Sequence, residues 1–226
     1  FIGIFSNFIP FVIKMIIGIL SFSVSIIGDS INNLSDMATS IATLVGFHIA
    51  GRPADKEHPY GHERIEYITG LIVSVFIIFI GGILGFTSIL KIVNYKAEDI
   101  DYIITYISIG ILCFAILMKV IQCICYRKIA KIINSVALKA AAVDSLNDCI
   151  STGTVLLGTV VILVLSLSNV SIPFSIDGIL GVLVAIFVIV SGINLVREEI
   201  NPLIGMPVSK DFVMRINDYI KSFDVV

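Results

Sequence analysis

Four carboxylates lie inside long apolar runs of this chain: Asp29 and Asp36 in one, Asp144 and Asp148 in another. Insertion scales put a charge at the centre of a bilayer at about 2.5–3.5 kcal/mol. Such residues therefore persist where a partner, a wet cavity or an ion receives them. A single aspartate is explained equally well as a protonated group bonded to a neighbouring helix. The spacing argues for more. Asp144 and Asp148 are four apart, as are Asn32 and Asp36, and residues at i and i+4 share one helix face with β-carbons about 5–6 Å apart. If the two runs face each other, Asn32, Asp36, Asp144 and Asp148 converge at mid-depth, with Asp29 in support. Three ionised carboxylates repel one another, and neither run holds a basic residue at the matching depth. A divalent metal ion satisfies them most simply, with protons as its replacement when it leaves.

The donor set is all oxygen. Hard oxygen donors suit Mg, Ca or Mn, while His and Cys favour Zn. Mn²⁺ is the expected ion, with Zn²⁺, Fe²⁺ and Co²⁺ as competitors, since affinity order alone lets Zn²⁺ compete at such a site. A second constellation lies in the loop from Arg52 to His62, where Asp55, His58 and His62 are spaced three and four apart. Two readings stay open for it on spacing: a metal trio, or a solvated loop with two unpaired histidines.

The elements that must position these residues follow from composition. The chain has 226 residues, of which 57% are hydrophobic and 14% charged, and its mean hydropathy is +1.04. Soluble domains are roughly 45–50% apolar and about 25% charged, so the solvent for this surface is lipid. The net charge of −2 argues against nucleic acid as a partner. A crossing needs about 20 apolar residues, and six segments qualify: 2–21, 24–50, 68–93, 102–125, 137–168 and 175–197. The expected fold is all-α, with six transmembrane helices. Ser21 to Ser25 leave room only for a hairpin between the first two.

Lys and Arg set the orientation. Arg52, Lys56 and Arg64, then Arg127, Lys128, Lys131 and Lys139, then Arg197, Lys210, Arg215 and Lys221 fall on one side; Lys91 and Lys96 fall on the other. The richer side is cytoplasmic, which places both termini inside. Residues 1–204 form the membrane domain. Residues 205–226, with Ser209 as the N-cap of a short amphipathic helix bearing Phe212, Ile216 and Ile220, read as a linker and the first helix of an incomplete cytoplasmic domain. The chain opens inside an apolar run without Met and stops on another, so it is expected to be part of a longer one.

The remaining residues have simpler readings. Cys113, Cys123, Cys125 and Cys149 make no CxxC pair and read as buried, reduced thiols. His48 reads as packing or interfacial. Asp177 reads as a charge at the start of its own helix. The glycines of the third and sixth segments, Gly70, Gly81, Gly82, Gly85, Gly178, Gly181 and Gly192, read as close helix contacts within or between subunits. Residues 33–40 lie on 145–152 as a local echo, which suggests two helices built for the same task.

Taken together, Gly18–Ser21, Ser23–Asp36, Arg52-Pro53-Ala54-Asp55, His58-Pro59-Tyr60-Gly61-His62, Asp144 and Asp148 resemble the cation diffusion facilitator family over essentially the whole chain. The resemblance implies six helices, a homodimer, and a ferredoxin-like α+β domain beginning near Val208. It implies metal export against inward protons, with no cofactor and no enzymatic step. Its transport site falls on Asn32, Asp36, Asp144 and Asp148, and its loop site on Asp55, His58 and His62. Zinc members carry His in the quartet; its absence here resembles the manganese group and leaves carboxylates to carry the exchanged protons. The expectation is a multi-pass manganese exporter of a bacterial plasma membrane, in contact with lipid, metal and protons. Rivals are a zinc, iron or cobalt exporter, a metal sensor that does not transport, and an intramembrane aspartyl protease. The last is disfavoured because neither Asp144 nor Asp148 follows a glycine.

Overall fold

The computed structural model describes residues 2–51, 53, 55, 59, 61–62, 64–94, 101–133, 136–168, 174–205 and 210–221. Among these there are seven helices and no strand: α1 (Ile2–Leu20), α2 (Val24–Ala50), α3 (Ile65–Val93), α4 (Tyr102–Ile133), α5 (Val136–Leu167), α6 (Ile176–Ile204) and α7 (Lys210–Lys221). Four of them, α3, α4, α6 and the stretch Leu138–Leu167 of α5, are long and apolar enough to cross a membrane, and Ile4–Leu20 of α1 is a shorter apolar helix. The all-helical expectation holds. Six helices follow in the expected order, but only four of them reach the length and apolarity of a span among the described residues; α1 is shorter and α2 falls short on apolarity. The reason is visible in its sequence: Asp29, Ser30, Asn32, Asn33, Ser35 and Asp36 interrupt its apolar run, and most of them are buried against other helices.

The bundle has the inverted polarity expected in lipid. Lys14, Lys119, Asp29, Asn33 and Thr152 are among its most completely buried side chains, whereas Phe76, Phe79, Phe86, Ile103, Leu157 and Leu183 are exposed. A compact apolar cluster of Ile17, Ile26, Ile77, Leu84, Leu112, Val155, Val184, Ala185 and Val188 ties α1–α6 together. Helix α3 packs most extensively on α6, and α4 on α5. Small residues permit the first contact: a β-carbon on Gly192 would come within 2.7 Å of Ile78, and one on Gly181 would collide with the Ser88 hydroxyl.

The α1–α2 hairpin turns at Ser21–Ser23, with Phe22 at φ 50° and the Ser23 amide donating to Gly18 O at 3.0 Å. The first turn of α2 is capped in two ways. Ser23 Oγ accepts from the Ile26 amide at 3.2 Å, and Asp177 accepts from the Val24 amide at 2.8 Å and from Ser25 Oγ at 2.5 Å. Asp177 does stand in the first turn of α6, but Ser175 caps that helix through the Gly178 amide. The Asp177 carboxylate instead serves α2 and pairs with Lys91 of α3 at 3.1 Å. It thus joins three helices at one end of the bundle. Asp177→Ala removes a cap and leaves the Lys91 ammonium with the Phe22 carbonyl as its acceptor, so it should cost about 1–2 kcal/mol of stability, read as a lower unfolding midpoint in detergent. Asp177→Asn should cost less.

Some expectations need correction. Helix α4 runs to Ile133, beyond the expected end at 125, because Arg127, Lys128 and Lys131 extend a helix past its apolar section without breaking it. Cys113 and Cys125 are exposed on the outer apolar face of α4, Cys149 is half-buried and Cys123 alone is buried; all four are free thiols. His48 is exposed in the last turn of α2, which leaves the interfacial reading and not the packing one. Helix α6 continues through Pro202 to Ile204 and stops at Gly205, whose φ of 108° suits glycine. Ser209, expected to cap α7, lies outside the described residues, and α7 itself is exposed along its length.

Candidate metal site between two antiparallel helices

Helices α2 and α5 meet in antiparallel register, and the polar residues of each form a ladder of three rungs. At the first rung Asp29 accepts from Ser151 Oγ at 3.0 Å and Thr152 Oγ1 at 3.2 Å. At the second, Asn32 Nδ2 donates to Asp148 Oδ1 at 2.7 Å. At the third, Asp36 and Asp144 line one cavity with Asp148. Rungs three or four residues apart are one helical turn apart, about 5 Å. The echo between residues 33–40 and 145–152 therefore has a geometric meaning. Its two aspartates, Asp36 and Asp148, both line this cavity from opposite helices.

The cavity holds about 510 Å³. Its walls carry Asp36, Thr39 and Ser40 from α2, Lys119, Gln122 and Tyr126 from α4, Asp144, Ser145 and Asp148 from α5, and Asn194 and Glu198 from α6. Asp148 is buried at its base, Asp36 is half-buried, and Asp144 is exposed to the cavity. Its lining residues on α2, α4, α5 and α6 lie toward the bundle end that carries the α2–α3 and α4–α5 connections, with Glu198 among them. Four hydroxyls on its wall are already committed as donors. Ser35, Thr39, Ser40 and Ser145 each donate to a carbonyl of their own helix at 2.9–3.0 Å. That leaves their oxygen lone pairs for the cavity, a lining suited to a cation.

Two lysines that sequence reasoning passed over complete the ladder. Lys14 of α1 pairs with Asp29 Oδ2 at 2.7 Å and donates to Thr152 Oγ1 at 2.8 Å. Lys119 of α4 pairs with Asp148 Oδ2 at 2.5 Å and donates to Asn7 Oδ1 of α1. Both ammonium groups are essentially without solvent exposure. The expectation that the carboxylates lacked basic partners holds within α2 and α5 but not across the bundle, because flanking helices supply them. The signal was present: a lysine inside an apolar run is as costly as an aspartate.

The expected quartet is thus brought to one place in two tiers. Asn32 and Asp148 are directly bonded, and Asp36 and Asp144 face the same space one turn away. Asp29 belongs to a separate layer with Lys14. Among the described residues, no three His, Cys, Asp or Glu side chains are grouped closely enough to hold a metal ion as they stand. Of the loop trio, His62 Nε2 and Asp55 Oδ2 are 3.5 Å apart, and His58 lies outside the described residues.

Comparison with known proteins agrees with this architecture. Residues 1–204 match the family described as the cation efflux transmembrane domain. The chain is 29% identical over 211 residues to an uncharacterized transporter of Methanocaldococcus jannaschii, covering 93% of this chain and 71% of that one. It is 38% identical over 146 residues to the manganese efflux system protein MneS of Bacillus subtilis, covering 63% of this chain and 48% of that one. It is 26% identical over 163 residues to the magnetosome protein MamM of Paramagnetospirillum magneticum, covering 70% of this chain and 49% of that one. The chain thus spans about half the length of the last two relatives.

Proposed function

The chain belongs to the cation efflux family, a family of transporters and not enzymes, and from that premise we propose that it exports a divalent metal ion, with Asn32, Asp36, Asp144 and Asp148 as the site that carries it. The observation behind this reading is the cavity that the three carboxylates of this site share, with Asn32 hydrogen-bonded to one of them, Asp148. All of α1–α6 cross the membrane, α1 and α2 as a hairpin whose polar face is shielded by α4 and α5. The Lys- and Arg-rich end is cytoplasmic, so the cavity opens inward and the state is one ready to load metal. Glu198 at the mouth attracts cations, Asp144 receives them, and Asp36 and Asp148 close on them. Release follows when the helices rock and open the other end. Protons then return on the carboxylates, the site having no histidine.

Manganese is the proposed ion. The all-oxygen set favours hard cations, and the likeness to a manganese efflux protein supports the choice. We assign Asp55, His58 and His62 as a lesser loop site that meets metal at the cytoplasmic side. Residues 205–226 begin a cytoplasmic ferredoxin-like domain, and the working unit is a homodimer in the plasma membrane. The test is transport into proteoliposomes under a proton gradient. Mn²⁺ should move, and Zn²⁺ should move at least about tenfold more slowly. Zn²⁺ transport without Mn²⁺ transport would remove the selectivity argument and leave the exporter.

A further inference from the structure

Both oxygens of Asp148 are already engaged. Oδ1 accepts from Asn32 at 2.7 Å, and Oδ2 is paired with the Lys119 ammonium at 2.5 Å. That ammonium is buried, is held from its other side by Asn7, and lies on the wall of the cavity lined by Asp36 and Asp144. It is a positive charge, anchored to α4, standing where a metal ion bound by Asp148 would place its own. Close unlike charges at an effective dielectric constant near 20 attract by about 4 kcal/mol at 4 Å, and like charges repel as much. A dication and the ammonium therefore cannot both sit on Asp148. The lysine stem has somewhere to go, because the cavity continues along the same α4 face past Gln122 and Tyr126.

Resting on the reading of the quartet as a metal site, we infer that Lys119 is a tethered cation that competes with the transported metal for Asp148. In the metal-free state its ammonium neutralises the carboxylate and holds α4 and α1 against α5. Metal arrival displaces it from Asp148 and Asn7 into the cavity. With three carboxylates and one ammonium the site has a formal charge of two minus, which a divalent ion neutralises and a monovalent ion does not. The ammonium weakens metal binding and by the same amount assists release, because it returns to Asp148 as the metal departs. Lys119 is a positioning residue, tuning affinity against turnover.

The experiment uses the full chain in lipid nanodiscs, titrated with Mn²⁺ and read by the loss of the free-ion electron paramagnetic resonance signal, beside transport in proteoliposomes. Lys119→Gln should bind Mn²⁺ at least about tenfold more tightly than the parent, with a lower half-saturating concentration and a lower maximal rate. Lys119→Arg, which keeps the charge, should stay within about threefold of the parent in affinity. A residue needed only for packing would lower the rate without tightening binding. Equal or weaker Mn²⁺ binding by Lys119→Gln overturns the inference. If Lys119→Gln does not fold, Asn7→Leu takes its place. It leaves every carboxylate in position and removes the ammonium's second acceptor, so Mn²⁺ affinity should rise several-fold, and an unchanged or reduced affinity overturns the inference equally. Failure of the parent itself to bind any divalent ion overturns the quartet reading, a separate outcome.

Discussion

Lys14→Met should destabilise the protein by about 3–5 kcal/mol, the largest loss expected from any single change outside the cavity. The Lys14 and Asp29 side chains are each 1% exposed, and their charged ends stand 2.7 Å apart. Taking the pair out of water costs several kcal/mol for each ion, so the intact pair contributes little net stability. Removing one partner is different. Methionine fills the lysine's volume but leaves the Asp29 carboxylate with only Ser151 and Thr152 as donors. Thr152 Oγ1 also loses the Lys14 ammonium that donates to it. The double variant Lys14→Met/Asp29→Asn removes both charges and should recover most of the loss, because no ion then remains to be solvated. Reversible denaturation in mixed micelles gives both midpoints. If the double variant is no more stable than the single one, the cost lies in packing and not in a stranded charge.

This pair marks the boundary of what could be read from sequence. Asp144 with Asp148, and Asn32 with Asp36, announced themselves by i, i+4 spacing within apolar runs, while the facing of α2 and α5 was only a condition that the sequence left open. The lysines carry no spacing. Lys14 and Lys119 are each alone in an apolar segment, and a lone lysine is easily set aside as one that reaches out to the membrane surface. Only the bundle shows that α1 and α4 turn these residues inward, one turn apart, onto Asp29 and Asp148. Looking for partners only within the two aspartate-bearing segments excluded the helices that supply them. Helix ends were legible where a short turn stops the chain, as at Ser21–Ser23, and α6 was expected to end at 197 but runs on to Ile204. They were not legible where charge replaces apolarity without breaking the helix, as beyond Cys125. Asp177 was correctly placed at a helix start, but its service to α2 across 153 positions of sequence depends on packing that no local pattern encodes.

The carboxylates of the cavity should separate by position when each is made into its amide. Asp36→Asn is the cleanest. The buried lysines pair directly with Asp29 and Asp148, so neutralising Asp36, which neighbours Asp148, leaves both ion pairs intact and the unfolding midpoint should move little. Transport should nonetheless fall at least about 100-fold, since one unit charge within about 4 Å of a dication accounts for several kcal/mol even at an effective dielectric constant near 20. Asp148→Asn should lose transport to the same degree and stability as well, because the Lys119 ammonium then keeps only neutral acceptors in a buried position. Its midpoint should recover when Lys119→Gln is added, while transport stays absent, so that the two effects come apart in one variant. Asp144→Asn, at the exposed carboxylate of the cavity, should raise the half-saturating Mn²⁺ concentration by about tenfold with a smaller effect on the maximal rate. The order follows from depth: the buried carboxylate at the base binds both lysine and metal, the half-buried one binds metal, and the exposed one gathers it. Equal losses for all three, with equal changes in midpoint, would mean that the amides act through folding, and the cavity would then not be where the ion is carried.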